Sequence, residues 1–442
     1  MVTSQTIASL VLFLAQSVPV QSLKLGNHDD IVKRSETIAS TLINFYHGNE
    51  SGHIPGLLPD EAGYYWYQSG AFMSSYIDYW QLTGDDTYND LVSKGIEWQV
   101  GPNDDFMPTN QTKNLGNDDQ SIWALGALTA AEYGFPAPSE KQFKWIDLAT
   151  AVWEDQRRRW DIEVKGKVCD GGLRWQIMTF NNGYNYKQTF ANALFFNLGA
   201  RLARFTGNET YADYAGKTWD WLEVSGLINN ETWAVYDGSQ SDTDCSKINH
   251  IQFSAPSASL AMGAAFMYNY TEGSKEWKER TENLTASTLN FFFPKKEGFK
   301  EIACADGGKC SKDLVTYKAF AHRWLAVTTQ VASFTADSIL PAIRRSAEAL
   351  GTSTEDNDTM EQTLVTFAAV SNLLIANSTA PRTQDQPAKD KANKTEDDTT
   401  SKSNSSSSST DEGTDKSSAF KLEGSDGFMS ISFLVLAFIW IM

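Results

Sequence analysis

A phrase that recurs along the chain limits its fold more than any single residue does. It runs Tyr79-Trp80-Gln81-Leu82-Thr83-Gly84-Asp85-Asp86-Thr87-Tyr88, then Ala203-Arg204-Phe205-Thr206-Gly207-Asn208-Glu209-Thr210-Tyr211. A looser copy is Tyr268-Asn269-Tyr270-Thr271-Glu272-Gly273-Ser274-Lys275-Glu276-Trp277. Each copy closes an apolar helix with a Thr/Gly turn, supplies an acidic or polar cap, and opens the next helix with an aromatic residue. Repeated helix pairs cannot bury their faces alone, so they stack into an array. Strand signals are scarce.

The array contains two classes of helix. Ile122 to Tyr133 and Ser257 to Tyr268 are apolar on nearly every side, whereas Tyr211 to Val224 carries a charged face. Phe190, Leu194, Leu198 and Leu202, four residues apart, mark one face of a further helix. Buried helices inside an amphipathic outer set predict an all-α (α/α)6 barrel, a toroid of helical hairpins with room for roughly twelve helices. An open solenoid of the HEAT kind is the alternative.

The ends of the 442-residue chain read as addresses. The short apolar run Ile7 to Val20 resembles a secretory signal, without the usual basic start, with cleavage near Ser22. At the other end, small residues at Ser417 and Ser418, a polar spacer and the uncharged tail Phe428 to Met442 match a GPI-anchor signal. Pro381 to Lys416 is rich in Ser, Thr, Asp and Lys and reads as a solvated stalk. The expected divisions are therefore 1–22, a folded body over 23–380, a stalk over 381–417 and a removed signal over 418–442. Ten sequons fit a secreted glycoprotein: Asn49, Asn110, Asn208, Asn230, Asn269, Asn283, Asn357, Asn377, Asn393 and Asn404. The expected location is the outer face of the plasma membrane. Four cysteines allow three pairings. Cys304 and Cys310 close a short loop and pair best, leaving Cys169 with Cys245, in keeping with an oxidising compartment.

A net charge of −18 argues against nucleic acid as a partner. The five histidines show no metal-ligand spacing, no GxSxG elbow is present, and the reading calls for no metal or cofactor. What remains is Gly116-Asn117-Asp118-Asp119-Gln120, where a polar loop meets an apolar helix. The two aspartates can be plain helix caps. They can equally serve glycoside hydrolysis, which needs two carboxyl groups beside one bond; neighbours at a helix start reach the short separation that retention requires.

Five segments carry a family resemblance: Gly70 to Trp80 (GAFMSSYIDYW), Gly116 to Tyr133 (opening GNDDQSIWALGA), Trp160 to Ile177 (ending GGLRWQI), Gly183 to Gly207, and Val315 to Thr328. Together they resemble glycoside hydrolase family 76, the endo-α-1,6-mannanases, and most closely its GPI-anchored fungal cell-wall members. The resemblance implies Asp118 as nucleophile and Asp119 as acid/base. It implies a cleft lined by Arg174, Trp175 and Gln176, with Trp175 stacking on a mannose or serving as a core aromatic, and further cleft residues Asn185, Tyr186 and Lys187. One segment departs from the family pattern: Phe253 to Ser259 stands where a Tyr-Asn-x-Gly stretch is expected, which bears on specificity. The implied substrates are α-1,6-mannan or a GPI-core glycan, with a β-glucan as a possible acceptor. The competing readings are a non-catalytic mannan-binding wall protein and an inverting, calcium-dependent α-mannosidase.

Overall fold

The structure is a computed structural model; it describes residues 25–387 apart from 60–61, 114, 138–142, 165–168, 296–297, 306–309 and 352–358. The signal, stalk and anchor sequences, with Asn357, Asn393, Asn404, Ser417 and Ser418, lie outside the described residues. In chain order the helices are α1 (His28–Leu42), α2 (Trp66–Thr83), α3 (Asn89–Gln99), α4 (Asn117–Tyr133), α5 (Trp145–Ile162), α6 (Thr189–Thr206) and α7 (Glu209–Val224). There follow α8 (Ser254–Tyr270), α9 (Lys275–Phe292), the one-turn α10 (Ile302–Ala305), α11 (Lys312–Val331), α12 (Ala336–Gly351) and α13 (Met360–Ser371).

Helices α2, α4, α6, α8, α11 and α13 pack in succession, and α13 returns to α2, so the ring is closed. Closure excludes the open solenoid. Helices α3, α5, α7, α9 and α12 each back the inner helix before them, and α1 backs α13. Sequence pattern explains the two layers. Inner α4 is buried at every position from Gln120 to Tyr133, while outer α7 buries only Ala215, Thr218, Trp219, Trp221 and Leu222. Gly84 and Gly207 end α2 and α6 in the left-handed conformation (φ 80° and 73°), as the repeated phrase requires. In the looser copy Thr271 caps α8 instead, and Gly273 (φ 99°) follows it.

Helix starts are earlier than apolar patterning places them. Helix α4 begins at Asn117 rather than Ile122, and α8 at Ser254 rather than Ser257. Both helices open on a polar residue, and partners distant in sequence satisfy it: Trp175 O accepts from Asn117 N, and Glu301 accepts from Ser254 N. A small antiparallel sheet, β1 (Tyr186–Gln188), β2 (Gly238–Gln240) and β3 (Ile248–Asn249), is an addition the sequence reading lacks. Disulfides join Cys169 to Cys245 and Cys304 to Cys310. Of the described sequons, Asn49, Asn110, Asn208, Asn230, Asn269 and Asn377 are exposed and Asn283 is half-buried.

The division at residue 380 needs correction. Pro381 is buried, Arg382 donates from its backbone N to Glu132 O and from Nε to Ala131 O, and Gln384 N donates to Phe205 O. These residues bond to carbonyls in the last turns of α4 and α6, so the chain stays on the ring through at least Gln384. A run of polar residues looks the same in sequence whether it is solvated or strapped across helix ends.

Candidate active site

The inner helices start at one end of the ring, and their first turns open a cleft of about 740 Å³. Tyr67 comes from α2 and Tyr65 caps it, Asp118 and Asp119 come from α4, Phe190 from α6 with Gln188 at the end of β1 capping it, Phe253 caps α8, and Asp313 and Tyr317 come from α11. Asp237, just before β2, and the loop residues Trp175, Gln176 and Phe180 complete much of the wall.

The aspartate pair is held from three directions. Asp119 Oδ2 accepts from Gly116 N at 2.7 Å, so this carboxyl does cap α4. Trp175 Nε1 donates to Asp118 Oδ2 at 3.1 Å. From α5, Gln156 donates to Asn117 O, and Arg159 donates to the side chains of Asn117 and Gln120. A side chain on Gly116 would strike Oδ1 of Asp118 and Oδ2 of Asp119. Those two oxygens therefore lie within about 5 Å of each other, on the retaining side of the known carboxylate spacings.

Their environments differ. Burial pushes the Asp118 carboxyl up to about 7, against the pull of backbone N–H groups and the Trp175 indole, which favour its ionised form. Burial and then the charge of Asp118 hold Asp119 well above the usual carboxylate range. Both carboxyls are thus raised by burial, but only Asp118 has an indole N–H favouring its ionised form, while the charge of Asp118 works against ionisation of Asp119. Asp118 Oδ1 is buried without a protein hydrogen-bond partner among the described residues.

The segment after Gly172 acts as a rung. Trp175 N donates to Tyr186 O, Ile177 N donates to Leu115 O, and Asn117 Nδ2 donates to Arg174 O. Trp175, Gln176 and Tyr186 line the cleft together with the aspartates. Arg174, Asn185 and Lys187 do not, and for these three the structure corrects the sequence reading. Arg174 pairs with Glu163 through Nε and Nη2 (2.8 and 3.0 Å) and donates from Nη1 to Asn185 Oδ1 and Ser241 Oγ. Lys187 is buried, donating to Cys169 O and Gly171 O, with Glu163 3.4 Å away. The reason is strand geometry. In β1 alternate side chains face opposite ways, so Tyr186 and Gln188 reach the cleft while Lys187 points to the interior.

Sequence reading missed Tyr67, Gln188, Asp237, Asp313 and Tyr317. A signal existed for most of them, because the starts of α2, α4, α6, α8 and α11 line the cleft; Asp313 and Tyr67 meet at 2.6 Å. Asp237 precedes a strand and carried no such signal.

Trp175→Phe keeps a ring but removes the N–H that favours ionised Asp118. The acidic limb of the kcat/KM profile is expected to move to higher pH by about half to one unit, as befits one hydrogen bond. An unmoved limb would show that the indole does not tune Asp118.

Comparison with known proteins follows the same outline. The glycosyl hydrolase family 76 profile matches residues 30–385. The chain is 38% identical over 339 residues to mannan endo-1,6-alpha-mannosidase DCW1 of Saccharomyces cerevisiae, covering 76% of this chain and 73% of that protein. It is 38% identical over 313 residues to mannan endo-1,6-alpha-mannosidase DFG5 of the same yeast, covering 71% and 67%. The crystal structure of Dfg5 from Chaetomium thermophilum in complex with glucosamine superposes with a TM-score of 0.77 at 44% identity, covering 82% of this chain and 95% of that one. An α-1,6-mannanase from Salegentibacter shares the fold alone, with a TM-score of 0.62 at 16% identity over 78% of this chain and 98% of that one.

Proposed function

The chain belongs to glycosyl hydrolase family 76, and on that premise we propose that it is a retaining glycosidase or transglycosidase acting on α-1,6-mannosidic linkages in cell-wall biogenesis. The observation that carries this reading is the pair Asp118 and Asp119, with carboxyl oxygens within about 5 Å of each other on the wall of the cleft. Ionised Asp118 attacks the anomeric carbon and forms a glycosyl ester as the glycosidic C–O bond breaks. Asp119 gives its proton to the departing oxygen. Asp119 then takes a proton from the incoming hydroxyl, whose oxygen displaces Asp118 and restores the original anomer.

The different surroundings support this order of roles: the Trp175 indole donates to Asp118 and favours its ionised form, while the neighbouring Asp118 charge keeps Asp119 raised and protonated. Trp175, Gln176 and Tyr186 are proposed sugar contacts. Water as the incoming hydroxyl gives hydrolysis of mannan; a glucan hydroxyl gives transfer. The glucosamine held by the Chaetomium relative supports a GPI-core glycan, whose mannose chain is built on glucosamine, as the donor. The disulfides, the sequons and the apolar C-terminal tail support a secreted protein tethered by a GPI anchor at Ser417 or Ser418, on the outer face of the plasma membrane and in the wall.

The test is to incubate the purified ectodomain with α-1,6-mannooligosaccharides, with and without a β-glucan acceptor, and to follow the first-formed anomer by NMR. An α product supports the reading; a β product would assign inversion and remove Asp118 as nucleophile. No turnover with any donor or acceptor would leave a mannan-binding wall protein.

A further inference from the structure

Among the described residues, the exposed large apolar side chains all stand at one end of the ring, the end where the cleft opens. Outer helices run back toward that end. Gln99 of α3 accepts from Trp66 at the start of α2, and Arg159 of α5 donates to Asn117 at the start of α4. Trp221 of α7 lies against Gly172, and Phe292 O of α9 accepts from Lys300 N, beside the Glu301 that holds Ser254. In their last turns α3, α5, α7 and α9 carry Trp98, Ile162, Val224 and Phe291, with Trp98 64% exposed. Val164 follows α5, Phe180 lines the cleft while 72% exposed, and Ile54, Tyr65 and Ile251 lie in the segments that lead into α2 and α8. The far end carries Gly84-Asp85-Asp86 and Gly207-Asn208-Glu209, where inner helices turn into outer ones, and the strap through Arg382 and Gln384.

Single apolar residues on a surface need no partner, but their confinement to one end does. The last turns of α3, α7 and α9 contain no basic residue, although a cation there would complement the helix dipole. These helices and α5 back four successive members of the inner ring, so the apolar rim extends around most of its circumference. A partner that meets all four is flat and at least as wide as the ring, roughly 40 Å or four helix diameters. A sugar chain is too narrow, and Ile and Val present no flat face to a pyranose. A lipid bilayer has the extent, and its interface takes up Trp, Phe and aliphatic side chains together.

The exit of the chain does not oppose such a partner. Gln384 is bonded at the far end, and roughly 30 residues separate it from Ser417, a contour of up to about 100 Å. An inner helix of 18 residues is only about 27 Å long. A tether of that contour lets either end of the ring meet the membrane that holds it, so the rim decides.

We propose that the apolar rim around the cleft docks on the outer surface of a zwitterionic lipid bilayer, turning the cleft mouth toward the headgroups. The inference rests on the reading of the donor as a GPI-core glycan, whose lipid end lies in that surface, and adds the face by which the protein meets it.

The test is flotation of the ectodomain with phosphatidylcholine vesicles. Wild type is expected to float with them. Replacing roughly a third of the lipid with phosphatidylserine is expected to weaken binding several-fold, since the chain carries a net charge of −18. Trp98→Ser, Ile162→Ser and Val224→Ser are each expected to weaken binding about three- to tenfold, and all three together by at least about a hundredfold. None of the three lines the cleft, so the triple variant should turn over soluble α-1,6-mannooligosaccharides as wild type does. Brominated phosphatidylcholine should quench wild-type fluorescence, and quench Trp98→Phe less although that variant still floats. Failure of wild type to float, flotation unchanged in the triple variant, or flotation that requires phosphatidylserine would overturn the assignment. So would retention on insoluble β-glucan, in place of vesicles, that the triple variant loses. Docking needs no turnover: a chain that floats yet cleaves no mannoside keeps the rim assignment and loses the glycosidase reading, and a chain that cleaves but does not float does the reverse.

Discussion

Asp118→Asn and Asp119→Asn are each expected to lower turnover of α-1,6-mannooligosaccharides by at least roughly a thousandfold, because nucleophile and acid/base act on the same bond. The amides fill the same space, and an amide oxygen at 118 can still accept from Trp175 Nε1. Loss of activity should therefore come without loss of fold, and the pH dependence of stability checks this. Burial raises the Asp118 carboxyl to about 7, above its ordinary value, so the folded state binds that proton more tightly than the unfolded chain does. Stability from this group is complete below the ordinary carboxylate range and falls as pH rises toward about 7. Asp118→Asn removes the ionisation, so it should melt higher than wild type at pH 8 and close to it at pH 4. A variant that keeps wild-type turnover would exclude that residue from the mechanism. Lower melting at every pH would mean that the fold, rather than the chemistry, had been damaged.

The second large effect lies at the other end of the inner ring. Arg201 on α6 and Glu132 on α4 are 2% and 1% exposed, and they meet through Nη2–Oε2 at 2.5 Å and Nε–Oε1 at 3.2 Å; Thr129 Oγ1 accepts a further bond. Glu132→Gln leaves a guanidinium buried without its counter-charge and is expected to cost about 3–5 kcal/mol in urea unfolding. Replacing both partners with leucine should cost much less, because no stranded charge remains. A single-variant cost below about 1 kcal/mol would show that water reaches Arg201, and the pair would then rank with exposed ion pairs.

Much of the ring was legible because helices are coded locally. Gly84 and Gly207 stop helices for a reason visible within five residues, and the all-round apolarity of Ile122 to Tyr133 identifies an inner helix without reference to its neighbours. The polar first turn of α4 was read as loop because the groups that satisfy it, at Trp175, Gln156 and Arg159, lie about 40 to 60 residues away. Arg174 and Lys187 show the opposite error. Basic residues in a polar loop look like sugar contacts, yet both are drawn to Glu163, a pairing that only the folded loop creates. Asn185 accepts from Arg174 and is absent from the residues that line the cleft.

From the sequence alone came the repeated helix pairs in two classes and the adjacent aspartates at the start of a buried helix, since both depend on residues within a few turns of each other. The family resemblance supplied the division of their roles. The tertiary structure decided what surrounds them. It aimed the Trp175 indole at Asp118, set Gln188 and Asp237 on one wall, and brought Asp313 beside Tyr67 through closure of α13 on α2. The physical reason is range. Helix periodicity and caps act over a few residues, whereas a cleft made from the first turns of separate helices exists only once the ring has closed.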